Sequence, residues 1–143
     1  FREAINETFN ENLALNSKVT ADPEVHQGHL ANLVDDDFAT FWPAPRGERT
    51  PIFSLSFDST ITFDRVQLQE KIEYGQRVKD FSLEYFKDGN WYSLTSGTTI
   101  GYKRILRFPE IEAERLRLRI TRAKWAPVMA GISVFKSGKR DTL

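Results

Sequence analysis

Three successive aspartates, Asp35, Asp36 and Asp37, stand just ahead of Thr40 and Trp42. Carboxylates and nearby carbonyls at this density are the hard oxygen donors that a cation such as Ca²⁺ takes, and the same side chains can instead solvate and cap a loop. Trp125, two residues before Pro127, sits where a loop can hold an indole face open to solvent. An exposed aromatic face beside planar hydrogen-bonding groups is the chemistry that recognises a sugar. Glu70 and Arg77 flank Gly75-Gln76, where they suit either an ion pair that fixes the turn or direct contact with a ligand. Tyr102 and Arg104 divide in the same way: the ring can lie half in the core and the guanidinium can cover its rim. His26 and His29, three residues apart in a polar stretch, supply two nitrogens and no third metal ligand.

Catalysis by these residues is not expected. A glycosidase needs two carboxylates held about 5 to 10 Å apart, one of them shielded enough to stay protonated. Pairs can be drawn from Asp35, Glu70 and Glu73, but no spacing marks a dyad. The chain has no cysteine, and it also lacks a Gly-x-Ser-x-Gly elbow and a phosphate-binding glycine loop.

The elements that must carry these groups are strands. Phe53, Leu55 and Phe57 alternate with serines, Val66 and Leu68 alternate with polar residues, and Phe81, Leu83 and Tyr85 repeat the period of two. Asp88-Gly89 between Phe86 and Trp91 predicts a tight turn and therefore a hairpin over residues 80 to 95, because Asp-Gly can adopt the positive φ that such a turn requires. Further strands are expected at Thr98 to Ile100, Arg104 to Phe108, Leu116 to Thr121 and Ile132 to Phe135. About eight strands in 143 residues indicate an all-β sandwich or jelly roll with a single core. Only the start differs: Phe1, Ile5 and Phe9 share one helical face, so residues 1 to 12 are read as a short N-terminal linker helix, 13 to 138 as the sandwich and 139 to 143 as a tail.

Net charge is zero, yet residues 1 to 102 hold 9 basic and 16 acidic side chains, whereas 103 to 143 hold 11 and 4. A nucleic-acid reader would gather such a basic block on one face. Here Arg115, Arg117 and Arg119 alternate with Leu116, Leu118 and Ile120, the pattern of a strand with one wet face, and interleaving of strands from the two halves would cancel the asymmetry. Nucleic acid is therefore not an expected partner. No apolar run approaches the roughly 20 residues of a membrane-crossing helix, so membrane insertion is not expected.

Three segments, ANLVDDDFATFW at 31 to 42, LQEKIEYGQRV at 68 to 78 and GTTIGYKRILRF at 97 to 108, together resemble the discoidin-like β-sandwich found at the C-terminal end of many α-L-fucosidases. The resemblance runs from about Asn12 to Phe135. It implies a discoidin-like jelly roll of antiparallel strands following a catalytic barrel. The parent chain would be a periplasmic or secreted bacterial fucosidase of retaining mechanism, whose catalytic carboxylates lie outside this sequence. The resemblance further implies a structural calcium site at Asp35, Asp37 and Thr40. Against it, Asp36 replaces the glycine usual there, and Gly131 falls where relatives carry a late acidic ligand. Related sugar-binding modules recruit loops at one end of the sandwich, which here include His26, Glu70, Gln76, Arg77, Tyr102, Arg104 and Trp125. Two roles follow. One is a non-catalytic accessory domain that docks on the catalytic barrel and shapes its pocket rim; the other is a module that binds fucosylated or galactosylated glycans. The sequence leans toward docking, because the 68 to 78 and 97 to 108 segments are rich in residues suited to ion pairing.

Overall fold

The computed structural model describes residues 11–15, 17–22, 27–37 and 39–137. Residues 1–10 of the expected linker helix, His26 and the C-terminal tail lie outside the described residues; Glu11 and Asn12, the last two of that expected helix, are not helical. Among the described residues seven strands follow in order: β1 (Lys18–Asp22), β2 (Trp42–Pro43), β3 (Ile52–Glu70), β4 (Val78–Lys87), β5 (Asn90–Gly97), β6 (Arg104–Ala123) and β7 (Val128–Phe135). Short 3₁₀ turns occupy Gln27–Leu33 and Ile72–Tyr74. All strand pairings are antiparallel.

Two strands organise everything else. The first part of β3 lies between β1 and the second part of β6, which continues to β4 and then β5. The last part of β3, from Arg65 to Glu70, lies between β7 and the first part of β6, and β2 closes that side against β7. Each of β3 and β6 therefore crosses from one layer of the sandwich to the other. The crossing coincides with breaks in their mutual register between Ser56 and Ile61 and between Phe63 and Arg65, the local bending that a bulge permits. Their continuity replaces the four separate strands read from the sequence at 53–57, 65–69, 104–108 and 116–121.

The alternation seen in the sequence becomes the core. Phe53, Leu55, Leu83, Leu116, Leu118, Val66, Leu68, Ile132 and Val134 turn inward from the two layers, and Trp42 meets Phe53 edge-on at a centroid distance of 4.9 Å. Between β4 and β5 the reverse turn has φ of 52° at Asp88 and 83° at Gly89, the two left-handed residues of the tight turn the sequence indicated. Thr98 to Ile100 is not a strand. The chain there is a loop that drops Ile100 into the core, and its buried side chain mimics a strand residue.

The acidic first half and the basic last half interleave as anticipated. Arg117 on β6 donates to Glu84 on β4 at 2.6 Å, and Arg122 pairs with Asp80. Arg117 also covers the Trp91 ring at 4.0 Å, so part of the basic block is spent on its own sheet. At the other limit of the sandwich, Leu13 N–H donates to the Val134 carbonyl and Val134 N–H to the Asn12 side chain. The polypeptide thus enters and leaves the domain at adjacent points.

Candidate binding rim

The end of the sandwich marked by Glu70, Val78, Arg104 and Val128 gathers three loops, residues 71–77, 98–103 and 124–127, with the segment around 39–45 beside them. Backbone bonds lace them together: Glu70 N–H to Gly101 O, Lys71 N–H to Val128 O, Lys124 N–H to Arg77 O and Ala44 N–H to Pro127 O.

Glu70 is the organiser of this rim. Its side chain ends β3, where the strand period carries it inward, and the residue is only 2% exposed. One carboxylate oxygen accepts from the backbone N–H groups of Arg77 at 2.8 Å and Val78 at 3.1 Å; the other accepts from Gly101 N–H at 2.8 Å. A single buried carboxylate therefore fixes both the 71–77 and the 98–103 loops, using charge-assisted bonds of the stronger kind. The side-chain ion pair between Glu70 and Arg77 considered from the sequence is replaced by this arrangement. The Arg77 guanidinium turns instead to the Tyr74 and Ala126 carbonyls, at 3.2 and 2.8 Å, and lies 5.9 Å from the Trp125 ring centre. Arg104 closes its own loop by donating to Thr99 O at 2.8 Å, with its guanidinium 6.0 Å from the Phe81 ring.

What these pinned loops present is aromatic. Of the six large apolar or aromatic side chains well exposed among the described residues, four stand here: Ile72 (42%), Tyr74 (48%), Tyr102 (63%) and Trp125 (57%). Gln76 is exposed at the same tip, close to Gly101. Beside them runs an open groove of about 350 Å³ bounded by Ala39, Glu70, Lys71, Ile72, Glu73 and Tyr102. The structure brings Glu70, Gln76, Arg77, Tyr102, Arg104 and Trp125 to one rim, but divides their work: Glu70, Arg77 and Arg104 hold loops, whereas Tyr102 and Trp125 face outward. Ile72, Tyr74 and Lys71 belong to the same surface and were not singled out from the sequence. The 3₁₀ turn that exposes Ile72 and Tyr74 has no strand period to reveal it. Lys71 reaches the Ala39 carbonyl at 3.3 Å and sits 5.7 Å from the Phe41 ring, which itself contacts Tyr74.

The acidic loop is tied to itself. Asp35 accepts from Asp37 N–H at 2.9 Å with one oxygen and from the Thr40 hydroxyl at 2.8 Å with the other, while Asp37 accepts from Ala39 N–H at 2.9 Å. Asp36 takes the left-handed conformation, φ 59°, that a glycine would adopt without strain. No group of three or more His, Cys, Asp or Glu side chains clusters among the described residues. Calcium takes about six to eight oxygens, backbone carbonyls included; here the Thr40 hydroxyl lies 2.8 Å from an Asp35 carboxylate oxygen, 2.8 Å from the Asp37 carbonyl and 3.3 Å from the Asn32 carbonyl. Trp42 is fully buried in the core next to this loop.

A sandwich of this topology, with its outward chemistry collected at one rim, is the architecture of a binding or docking module. Residues 17–132 match the F5/8 type C domain family, and the chain belongs to it. It is 32% identical to a putative α-L-fucosidase 1 of Oryza sativa subsp. japonica, over 94% of this chain and 27% of that protein. The chain thus spans about a quarter of the length of the curated relatives it matches. A putative α-L-fucosidase from Bacteroides thetaiotaomicron superposes with a TM-score of 0.89 and 31% identity, covering 96% of this chain and 31% of that one. A chitosan-binding module from a Paenibacillus chitosanase/glucanase, solved with chitotriose, shares the fold at a TM-score of 0.76 and 23% identity, over 87% of this chain and 99% of the module. The chain is a discoidin-like, non-catalytic accessory domain of the kind carried by fucosidases. No helix among the described residues is long and apolar enough to cross a membrane.

Proposed function

We propose that this domain serves a retaining α-L-fucosidase by docking its Glu70-organised rim on the catalytic domain of the same parent chain, where it borders the substrate pocket. The observation that carries the reading is the concentration of Ile72, Tyr74, Tyr102 and Trp125 on loops, two of which are held by hydrogen bonds to the buried Glu70 carboxylate. Contiguous exposed apolar surface marks an interface, and Tyr, Trp and Arg are the residues such interfaces favour. Loops already fixed lose little conformational entropy on docking. The same reading places the parent enzyme in the periplasm or outside the cell, and leaves the 35–40 loop to its own hydrogen bonds without a calcium ion.

A second reading is favoured by Trp125. Its half-exposed ring, with Arg77 at 5.9 Å and Lys124 at 5.4 Å, offers the stacking face and donors that a fucosylated or galactosylated glycan would use. Hydrogen exchange separates the two. Restoring the preceding domain of the parent polypeptide is expected to protect the amides of 71–77 and 98–103, while free fucosides leave them unchanged. Saturable fucoside protection that disappears in Trp125→Ala, with none conferred by the preceding domain, would reject docking in favour of glycan binding.

A further inference from the structure

At the end of the sandwich away from the rim, the β4–β5 hairpin, the bend of β3 and the bend of β6 enclose a second open groove of about 360 Å³. It is lined by Thr62, Tyr85, Lys87, Glu110, Ile111 and Glu112. The ten residues of β4 run from rim to groove and separate the two by roughly 30 Å.

The walls of this groove have a definite chemistry. Tyr85 stacks on Tyr92 with ring centres 5.4 Å apart and planes inclined by 28°, and Tyr92 is 43% exposed on the edge strand. Lys87, Glu110 and Glu112 also line the groove; Lys87 pairs with Glu112, and Glu110 pairs with Lys136, which lies outside the lining, each at 3.6 Å. That distance is longer than a good N–H···O bond, and all four side chains are about half exposed. Pairs of this kind are nearly neutral energetically, so separating them to admit another group costs little. A hydroxyl is the group that fits. It can accept from the ammonium and donate to the carboxylate at once, while a ring's C–H face rests on tyrosine. The lining itself holds one cation and two carboxylates, one of them paired from outside by Lys136, which gives an anionic ligand nothing to bind.

We propose that this groove is a second, weak binding subsite for a neutral pyranoside, separate from the rim. Its location frees it for use while the rim is occupied, so it depends on neither account of the rim. The test is a two-dimensional amide NMR titration of the 143-residue chain with methyl β-D-galactoside and, in a parallel arm, methyl α-L-fucoside, carried into the tens of millimolar. Saturable shifts are expected at Thr62, Tyr85, Lys87 and 110–112 with at least one sugar. Glu112→Gln and Lys87→Met, both surface changes that spare the fold, are expected to weaken binding roughly tenfold. Trp125→Ala is expected to leave it intact. Absence of saturation with both sugars would overturn the proposal, as would shifts that survive Glu112→Gln and Lys87→Met but vanish in Trp125→Ala.

Discussion

Glu70 shows how one residue can decide the geometry of a surface to which it contributes almost no area. Buried at the end of β3, it satisfies three backbone N–H groups, those of Arg77 and Gly101 in two loops that have no regular ladder of their own and that of Val78 at the start of β4. Replacing it with alanine would leave those donors facing a cavity that no other acceptor fills. Buried unsatisfied donors cost about 1–3 kcal/mol each, and partial relaxation of the loops would recover some of that. Glu70→Ala is expected to lower the unfolding free energy by about 3 kcal/mol in urea denaturation, and to raise the exchange rates of the Arg77, Val78 and Gly101 amides. Glu70→Gln keeps one acceptor oxygen and should fall between. Unchanged exchange at Gly101 in the alanine variant would remove Glu70 from its organising role. The sequence showed Glu70 only as a charged residue beside a turn. Its burial depends on where β3 ends and on a loop about 30 residues later, information that no local pattern contains.

Strands and turns were more legible. The alternation of Phe53 with Leu55, of Val66 with Leu68 and of Phe81 with Leu83 is a direct imprint of the inward faces of β3 and β4, because a strand presents every second side chain to the core. What the alternation conceals is continuity. In β3 the inward residues change from 53 and 55 to 66 and 68, and Asp58-Ser59-Thr60 between them has the composition of a turn, so a single bent strand reads as two. The β4–β5 hairpin carries the sharpest local signal and the clearest test. Gly89 has φ 83°, with open space where a Cβ would lie. Gly89→Val therefore meets no steric neighbour, only the backbone penalty of a branched residue in a left-handed conformation, on the order of 1–2 kcal/mol. A fall in melting temperature of several degrees is expected; no change would mean that the turn is not held in this conformation. Gly97→Ala would act differently, because its Cβ would lie 2.6 Å from the Phe81 ring.

For the whole molecule, two shared strands make the layers inseparable: pulling one layer from the other would break β3 and β6 in the middle. Stability should then reside in this common core rather than in a bound ion. If the 35–40 loop is held by Asp35, Asp37 and Thr40 alone, excess EDTA leaves the melting temperature nearly unchanged. An ion present at 100 times its dissociation constant would contribute about 2.7 kcal/mol, visible as a drop of several degrees on chelation. Such a drop would restore the metal site.

The junction where Asn12 and Leu13 meet Val134 lies away from the rim, toward the far end of β7. Among the described residues the two ends of the domain are therefore held at neighbouring points, Asn12 and Leu13 on Val134 and Ser137 on Asp64 of β3. Neighbouring attachment points, taken by themselves, fix position more tightly than direction. If the rim also grips a neighbouring domain, the two constraints act across the length of the sandwich as a lever acts between its fulcrum and its load, and slight loosening at the pivot becomes a large displacement at the tip. Orientation would then be governed by the rim contacts far more than by the length of the connecting segment.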